Sequence, residues 1–125
     1  MLIDRNQSLL LIVDIQERLA PAIHDGEAAV ANNGRLLAAA ERLGVPVFVS
    51  EQYVRGLGPT VPALQPLPAN AWRFDKMHFS CTREPGFLDR LAASGRRQVL
   101  VTGMETHVCV LQTVLGLLDA GRKVF

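Results

Sequence analysis

Short apolar runs alternate along the chain with stretches in which apolar residues recur every three or four positions. The runs at Ser8–Val13, 45–49 and 98–102 have the length and continuity typical of strands buried on both faces. A further run begins at 123–125, and residues 72–80 contain a short extended segment. The pattern therefore predicts a set of short strands, most of them buried.

Three other segments carry the helical spacing of apolar residues, at 32–43, Phe87–Ala93 and 106–120. Gly44 and Gly121 follow two of them and end the predicted helices. Strands that alternate with helices form right-handed βαβ units, so we expect a three-layer α/β/α, Rossmann-like fold with a mainly parallel sheet. The faces expected to be buried comprise Leu36, Leu37, Ala40 and Leu43 in the first helix and Val110, Val114, Leu117 and Leu118 in the last.

Residues 51–70 interrupt this alternation. They contain two glycines and four prolines, which disfavour regular secondary structure. An irregular loop of this length in a compact domain more often has a function than serves only as a connection. We therefore expect the segment to form a loop that shapes a binding pocket.

Composition limits the class of protein. The chain has 125 residues, 49% of them hydrophobic, which is enough for one domain, residues 1–125, but not for two. Its 13 basic and 12 acidic side chains are scattered, which argues against a nucleic-acid or membrane partner, since both bind a concentrated basic face. The apolar runs are far shorter than the roughly 20 residues of a membrane span. With no signal peptide and two cysteines that form no disulfide framework, we expect a cytoplasmic protein.

Three residues that could carry chemistry fall at or near predicted strand ends: Asp14, Lys76 and Cys109. Open parallel sheets place their sites beyond the carboxyl ends of strands. Each residue alone has an ordinary explanation, as a capping carboxylate, a surface lysine and a buried thiol. Together they could form a nucleophilic site, because a helix N-terminus and a lysine favour the thiolate and a carboxylate can carry its proton.

Three segments resemble successive motifs of the isochorismatase-like cysteine hydrolases, in that family's order and approximate spacing. They read Leu-Leu-Ile-Val-Asp-Ile-Gln at 10–16, Asp-Lys-Met-His-Phe-Ser at 75–80 and Val-Thr-Gly-Met-Glu-Thr-His-Val-Cys-Val at 101–110. Residues 50–62 are similar to the branch of isochorismatase domain-containing proteins. The resemblance covers nearly the whole chain, and the block around Cys109 is its most specific part.

The resemblance implies a catalytic triad and a reaction. Asp14 would be the general base, Lys76 the cation that activates the thiol, and Cys109 the nucleophile. A non-proline cis peptide would join Met104 to Glu105, and the backbone N–H groups of Glu105 and Cys109 would form an oxyanion hole. The implied reaction is hydrolysis of a small amide, or a related C–N bond, through a cysteine thioester.

Two departures from the family qualify this prediction. Nicotinamidases of the superfamily bind a metal where this chain has Glu51, Gln52 and Tyr53, so we expect no metal and no cofactor. The family domain also normally continues past Phe125 into at least one more helix and strand. We therefore expect the chain to lack these elements, either as a truncated form or because its record is partial.

Several further residues are candidates for the pocket of a small-molecule substrate. His107 lies two positions from Cys109 and cannot face it on a helix, so a wall or capping role is expected rather than that of a base. Packing in the core or at an interface is an equal alternative for the aromatic candidates. We also expect a homo-oligomer, and the competing hypothesis is a non-catalytic oligomeric scaffold or partner-binding member of the same fold. The candidates for the pocket are Gln16, Tyr53, Trp72, Phe79 and His107.

Overall fold

Five parallel strands form one sheet in the computed structural model, which describes residues 1–125. The order across the sheet places the first strand at the centre, between the second and the fourth. In chain order the strands are β1 (Ser8–Val13), β2 (Val47–Gln52), β3 (Ala71–Lys76), β4 (Gln98–Gly103) and β5 (Lys123–Val124), and the sheet order is β3-β2-β1-β4-β5.

Helices cover both faces of the sheet. The helix on one face contributes Leu37 and Ala40 to a core with the strands, and two helices on the other face contribute Phe87, Leu91 and Leu117 to a second core. The predicted three-layer α/β architecture with a mainly parallel sheet is confirmed. The helices are α1 (Gly26–Leu43), α2 (Val54–Leu57), α3 (Phe87–Ala93) and α4 (Leu111–Asp119), and α1 lies on one face opposite α3 and α4.

The central strand β1 is buried along its whole length. Because side chains alternate across a strand, Leu10 and Ile12 pack in the core on the α1 side, whereas Leu9, Leu11 and Val13 pack in the core on the other. A strand covered on both faces needs no polar face, which explains the continuous apolar run in the sequence. Its last residue leads directly into the candidate site.

Two predicted boundaries were wrong. Helix α1 begins at Gly26 instead of residue 32, because its first turns are rich in alanine and carry few of the large apolar residues that mark a helical face. Strand β2 begins at Val47 and continues through Glu51 and Gln52, which the sequence assigned to a loop. Gln52 belongs to the strand because it pairs in register with Lys76 of β3.

The remainder of 51–70 is more ordered than its glycine and proline content suggests. It contains α2 and a short 3-10 turn at Pro62–Leu64. The buried Glu51 carboxylate accepts hydrogen bonds from the backbone and hydroxyl of Thr60. Gln16 and Thr60 also form an isolated antiparallel bridge. Side chains from β2 and from the segment after β1 therefore fix this loop.

The predicted helix at 106–120 consists of two parts. Thr106–Val110 forms a π-helical turn, and α4 follows it. A π turn contains an extra residue, which rotates every later position about the helix axis. Thr113 and Leu117 are therefore buried, whereas Leu118 of the predicted face is half-exposed. Leu36 and Leu43 of α1 are also exposed, contrary to prediction. No helix combines the length and the apolar character needed to cross a bilayer.

Candidate active site

Asp14 and Lys76 form a buried ion pair at the carboxyl edge of the sheet. Asp14 follows β1 and Lys76 ends β3, so the lysine side chain reaches across the end of β2, which lies between them. Its Nζ lies 2.9 Å from Asp14 Oδ2, and both side chains are 0% exposed. Because the pair is buried, solvent and salt screen the attraction between its two charges very little.

The Asp14 carboxylate has a hydrogen-bond donor on each oxygen. Lys76 donates to Oδ2, and the Ser50 hydroxyl donates to Oδ1 at 2.7 Å. The Asp14 backbone N–H also donates to the Ser50 carbonyl at 3.2 Å, which continues the sheet contact beyond β1. The carboxylate is therefore fixed in one orientation.

The Lys76 ammonium lies within hydrogen-bonding distance of four oxygen atoms. Besides Asp14 Oδ2, these are Gln52 Oε1 at 2.6 Å, the His78 carbonyl at 3.2 Å and the Phe79 carbonyl at 2.9 Å. Burial of a charge is costly unless it is paired and hydrogen-bonded. Here the additional acceptors come from Gln52 of β2 and from the turn that follows β3.

Cys109 lies in the π turn and is 4% exposed. Burial, the negative charge of Asp14 and hydrogen bonding to Asp14 together raise the pKa of its thiol to about 12, although Lys76 lowers the pKa in part. The expectation of a lowered thiol pKa is therefore wrong, although Lys76 acts in the expected direction. Burial and the carboxylate outweigh the lysine, so the resting group at neutral pH is the thiol.

Backbone strain is concentrated at this edge of the sheet. Asp14, Tyr53 and Glu105 follow β1, β2 and β4 respectively, and all three have left-handed backbone angles, with φ of 55°, 40° and 63°. Non-glycine residues in this region cost free energy and cluster at functional sites. The strain is therefore an independent observation that favours a functional role for the edge that holds Asp14.

The connection from β4 to the π turn differs from the prediction. The Met104–Glu105 peptide is trans, since the single cis bond is Gln65–Pro66. The chain turns instead through positive φ at Gly103 and Glu105. The Glu105 N–H makes no backbone hydrogen bond, so it keeps the donor capacity that an oxyanion hole requires.

Two of the predicted pocket residues lie beside Lys76, and a third is exposed on the π turn. Tyr53 is half-exposed and lines a cleft of about 430 Å³ together with Lys76. Phe79 is half-exposed and contacts Lys76 through its carbonyl. His107 is exposed on the π turn, with Nδ1 3.5 Å from Glu105. All three side chains are exposed to solvent.

The other two pocket candidates are placed differently. Gln16 is fully buried, and its amide bonds the Gln52 N–H, the Gln52 carbonyl and the Gly58 carbonyl, so it holds the loop instead of lining a pocket. Trp72 precedes Lys76 by four residues, about 13 Å along β3. Its ring belongs to an aromatic cluster with Phe48, Phe74 and Phe87.

Sequence reasoning missed Ser50 and Gln52, which bond Asp14 and Lys76 directly. The sequence did indicate these two residues, because both are polar and lie at the end of an apolar run that is otherwise typical of a buried strand. Cys81 is fully buried beside the same groups. Burial raises its pKa, which hydrogen bonding to Thr113 and the charge of Lys76 lower in part.

The residues at the position of the nicotinamidase metal site have protein partners. Glu51 is bonded by Thr60, with Arg73 Nε 3.6 Å from its other oxygen. His78 Nδ1 lies 2.9 Å from Glu84. The chain contains no cluster of three or more histidine, cysteine, aspartate or glutamate side chains arranged to hold a metal.

Comparison with known proteins shows the family. The model of the isochorismatase domain matches residues 8–125. Isochorismatase domain-containing protein 1 of Salmo salar is 41% identical over 111 residues, which are 89% of this chain and 39% of that protein. Isochorismatase domain-containing protein 2 of Danio rerio is 35% identical over 117 residues, 94% of this chain and 58% of that protein. The chain thus spans about two fifths to three fifths of these relatives.

Solved structures show the same fold. The MAR1 ribonuclease of Caenorhabditis elegans is 40% identical with a TM-score of 0.91, covering 98% of this chain and 62% of that one. YcaC of Pseudomonas aeruginosa, described with covalent acrylamide, is 28% identical with a TM-score of 0.87, covering 98% and 63%. YcaC of Escherichia coli, described as an octameric hydrolase of unknown specificity, is 25% identical with a TM-score of 0.86, covering 98% and 62%. The chain belongs to the isochorismatase family and carries its hydrolase fold.

Proposed function

We propose that the protein hydrolyses a small amide, or a related C–N bond, through a thioester on Cys109, with Asp14 and Lys76 completing a catalytic triad. The observation that carries the proposal is the buried Asp14–Lys76 pair, whose two charges both act on the Cys109 thiol. A carboxylate, an ammonium and a thiol are rarely buried together without a role, because each is costly to desolvate.

The raised pKa of Cys109 supports a particular order of events. Because the thiol is protonated at rest, its proton passes to Asp14 as the sulfur attacks the carbonyl carbon. The C=O π bond opens to an oxyanion, which the Glu105 N–H is available to bind. The C–N bond then breaks, and Asp14 returns the proton to the departing amine.

Hydrolysis of the thioester reuses the same groups. Asp14 takes a proton from water as the oxygen attacks the acyl carbon, and the C–S bond breaks to release the acid and restore the Cys109 thiol. Lys76 takes no part in these proton transfers, and its ammonium is held by acceptors from Asp14, from β2 and from the turn after β3. Its role is to balance the negative charge that moves between Asp14 and the sulfur.

Two neighbours bear on the substrate class. YcaC of P. aeruginosa is described with covalent acrylamide, so a protein of this fold presents a group that bonds covalently to a small electrophile. The C. elegans neighbour is described as a ribonuclease. A cysteine nucleophile favours acyl transfer over phosphodiester cleavage, because sulfur attacks acyl carbon readily and the resulting thioester hydrolyses.

The test is a substrate screen combined with detection of the covalent intermediate. The full-length protein is offered small amides, ureides, vinyl ethers and RNA, and its intact mass is measured after rapid quenching. We expect an acyl adduct with an amide that is lost in Cys109→Ala and retained in Cys81→Ala, which removes the other buried thiol. Turnover that survives in Cys109→Ala would remove the cysteine from the mechanism.

The competing hypothesis, a non-catalytic oligomeric member, is supported by a separate feature. Leu111, Leu115 and Leu118 project at i, i+4 and i+7 from α4 and are 47%, 56% and 51% exposed. We infer that this leucine stripe contacts a second copy of the chain, in line with the octamer described for E. coli YcaC. Leu115→Glu should lower the mass measured by light scattering, whereas Gln112→Glu on the same helix should not. Assembly without any turnover in the screen would favour the scaffold.

A further inference from the structure

Ser50 contacts Asp14 twice. Its hydroxyl donates to Asp14 Oδ1 at 2.7 Å, and its carbonyl accepts the Asp14 backbone N–H at 3.2 Å. Ser50 is 0% exposed, and in the sheet it lies opposite Val13, the residue before Asp14. The serine thus holds both the backbone and the carboxylate of a residue 36 positions away.

A serine is costly at this position of β2. The strand lies between β1 and β3, and Val47, Phe48 and Val49 before it are buried apolar residues. A buried hydroxyl loses its hydration and stabilises the fold only if it finds a partner. The Ser50 hydroxyl donates to Asp14 Oδ1, and the Cys81 thiol lies next to it. The hydroxyl is therefore explained by the carboxylate and not by the packing of the strand.

We propose that Ser50 is a positioning residue for Asp14, whose hydroxyl fixes the plane of the carboxylate and stabilises its ionised form. The inference rests on the proposed function, in which that carboxylate takes the thiol proton. Three groups face Asp14 from three elements. Lys76, at the end of β3, donates a hydrogen bond to Oδ2, and Ser50 of β2 donates one to Oδ1. The Cys109 thiol, on the π turn after β4, is the third group.

The consequence concerns both oxygens of a fully buried carboxylate. Lys76 alone supplies one donor, which leaves Oδ1 unpaired in a place that water does not reach. With Ser50 present both oxygens accept a hydrogen bond. The second thiol next to this network, Cys81, lies on the Ser50 side and also feels the charges of Asp14 and Lys76.

The experiment follows the Asp14 carboxyl directly. Aspartate carboxyl carbons are labelled with ¹³C, the Asp14 signal is assigned with Asp14→Asn, and its chemical shift is measured against pH. A hydrogen bond to a charged group contributes about tenfold or more to such an equilibrium, so Ser50→Ala should move the midpoint upward by about one pH unit. In turnover assays the pH midpoint of the acid limb of the kcat/KM profile should also move upward, with KM little changed.

Ser8→Ala is the matched control. Ser8 is also a buried serine in the sheet, but it lies at the opposite end of β1, where its hydroxyl donates to the Asp4 carbonyl at 2.7 Å. Its loss should leave the Asp14 midpoint unchanged. If Ser50→Ala does not fold, Ser50→Cys has nearly the same volume and only a weak donor, and it should give an intermediate upward shift.

The inference is overturned if the midpoint in a folded Ser50 variant equals that of the parent, or if Ser8→Ala moves it equally. Failure of the proposed function gives a different result. If Asp14 is not the base, Asp14→Asn retains turnover while the shift caused by Ser50→Ala persists in the NMR titration. The substrate-independent readout thus separates positioning from catalysis.

Discussion

Lys76 Nζ lies 2.9 Å from Asp14 Oδ2, although the two residues are 62 positions apart and belong to strands that do not pair with each other. The long lysine side chain passes the end of β2, where Gln52 accepts a further hydrogen bond from it. This contact joins β3, β2 and β1 at the edge where parallel sheets bind ligands.

Breaking the ion pair from one side should be strongly destabilising. Lys76→Met leaves the Asp14 carboxylate buried and uncompensated, for which we expect a loss of about 3–5 kcal/mol in the free energy of unfolding. The double variant Lys76→Met/Asp14→Leu removes both charges and should recover much of that loss. Urea denaturation measures both values, and a double variant less stable than the single one would contradict the argument.

The raised pKa of the Cys109 thiol predicts its response to alkylation. In a Cys81→Ala background, the rate with iodoacetamide should still be rising above pH 9, because the pKa is about 12. Asp14→Asn removes the carboxylate charge that raises this pKa but keeps Lys76, which lowers it. Alkylation at pH 8 should then be faster by about tenfold per unit of pKa lowered. A slower rate in Asp14→Asn would contradict the assignment.

Gln16 should stabilise the fold through its buried amide. Gln16→Leu keeps the volume but removes hydrogen bonds to the N–H and carbonyl of Gln52 and to the Gly58 carbonyl. Unsatisfied buried polar groups cost about 1–3 kcal/mol each, so we expect a clear fall in Tm and faster proteolysis within 53–61. The exposed Gln112 offers the control, since Gln112→Leu should change Tm little.

Gly103 is expected to tolerate no side chain. A Cβ at this position would clash with the Val13 carbonyl oxygen, and the φ of 142° at Gly103 disfavours any other residue. Gly44 also has positive φ but has open space around it. Gly103→Ala should therefore destabilise far more than Gly44→Ala, which carries only the backbone cost of about 1 kcal/mol. Thermal unfolding of the two variants compares them, and equal losses would contradict the close approach to Val13.

The local pattern predicted most of the fold. The apolar runs located β1, β4 and α3 nearly to the residue, because strands buried on both faces and a short amphipathic helix have distinct periods. The local pattern predicted the wrong boundary or the wrong buried face where a tertiary contact outweighs local preference. Gln52 is in β2 because it pairs with Lys76 of β3, and the π turn changes which α4 residues are buried.

The sequence by itself determined the layer architecture, the family, and the presence of Asp14 and Cys109 after buried strands. These follow from short-range periodicity and from motifs that are contiguous in the chain. Only the tertiary structure decided that Ser50 and Gln52 bond the ion pair, that Gln16 holds a loop, and that the Cys109 thiol is protonated at rest. Each of these depends on burial and on contacts between residues tens of positions apart, which are set when the strands assemble and have no counterpart in local spacing.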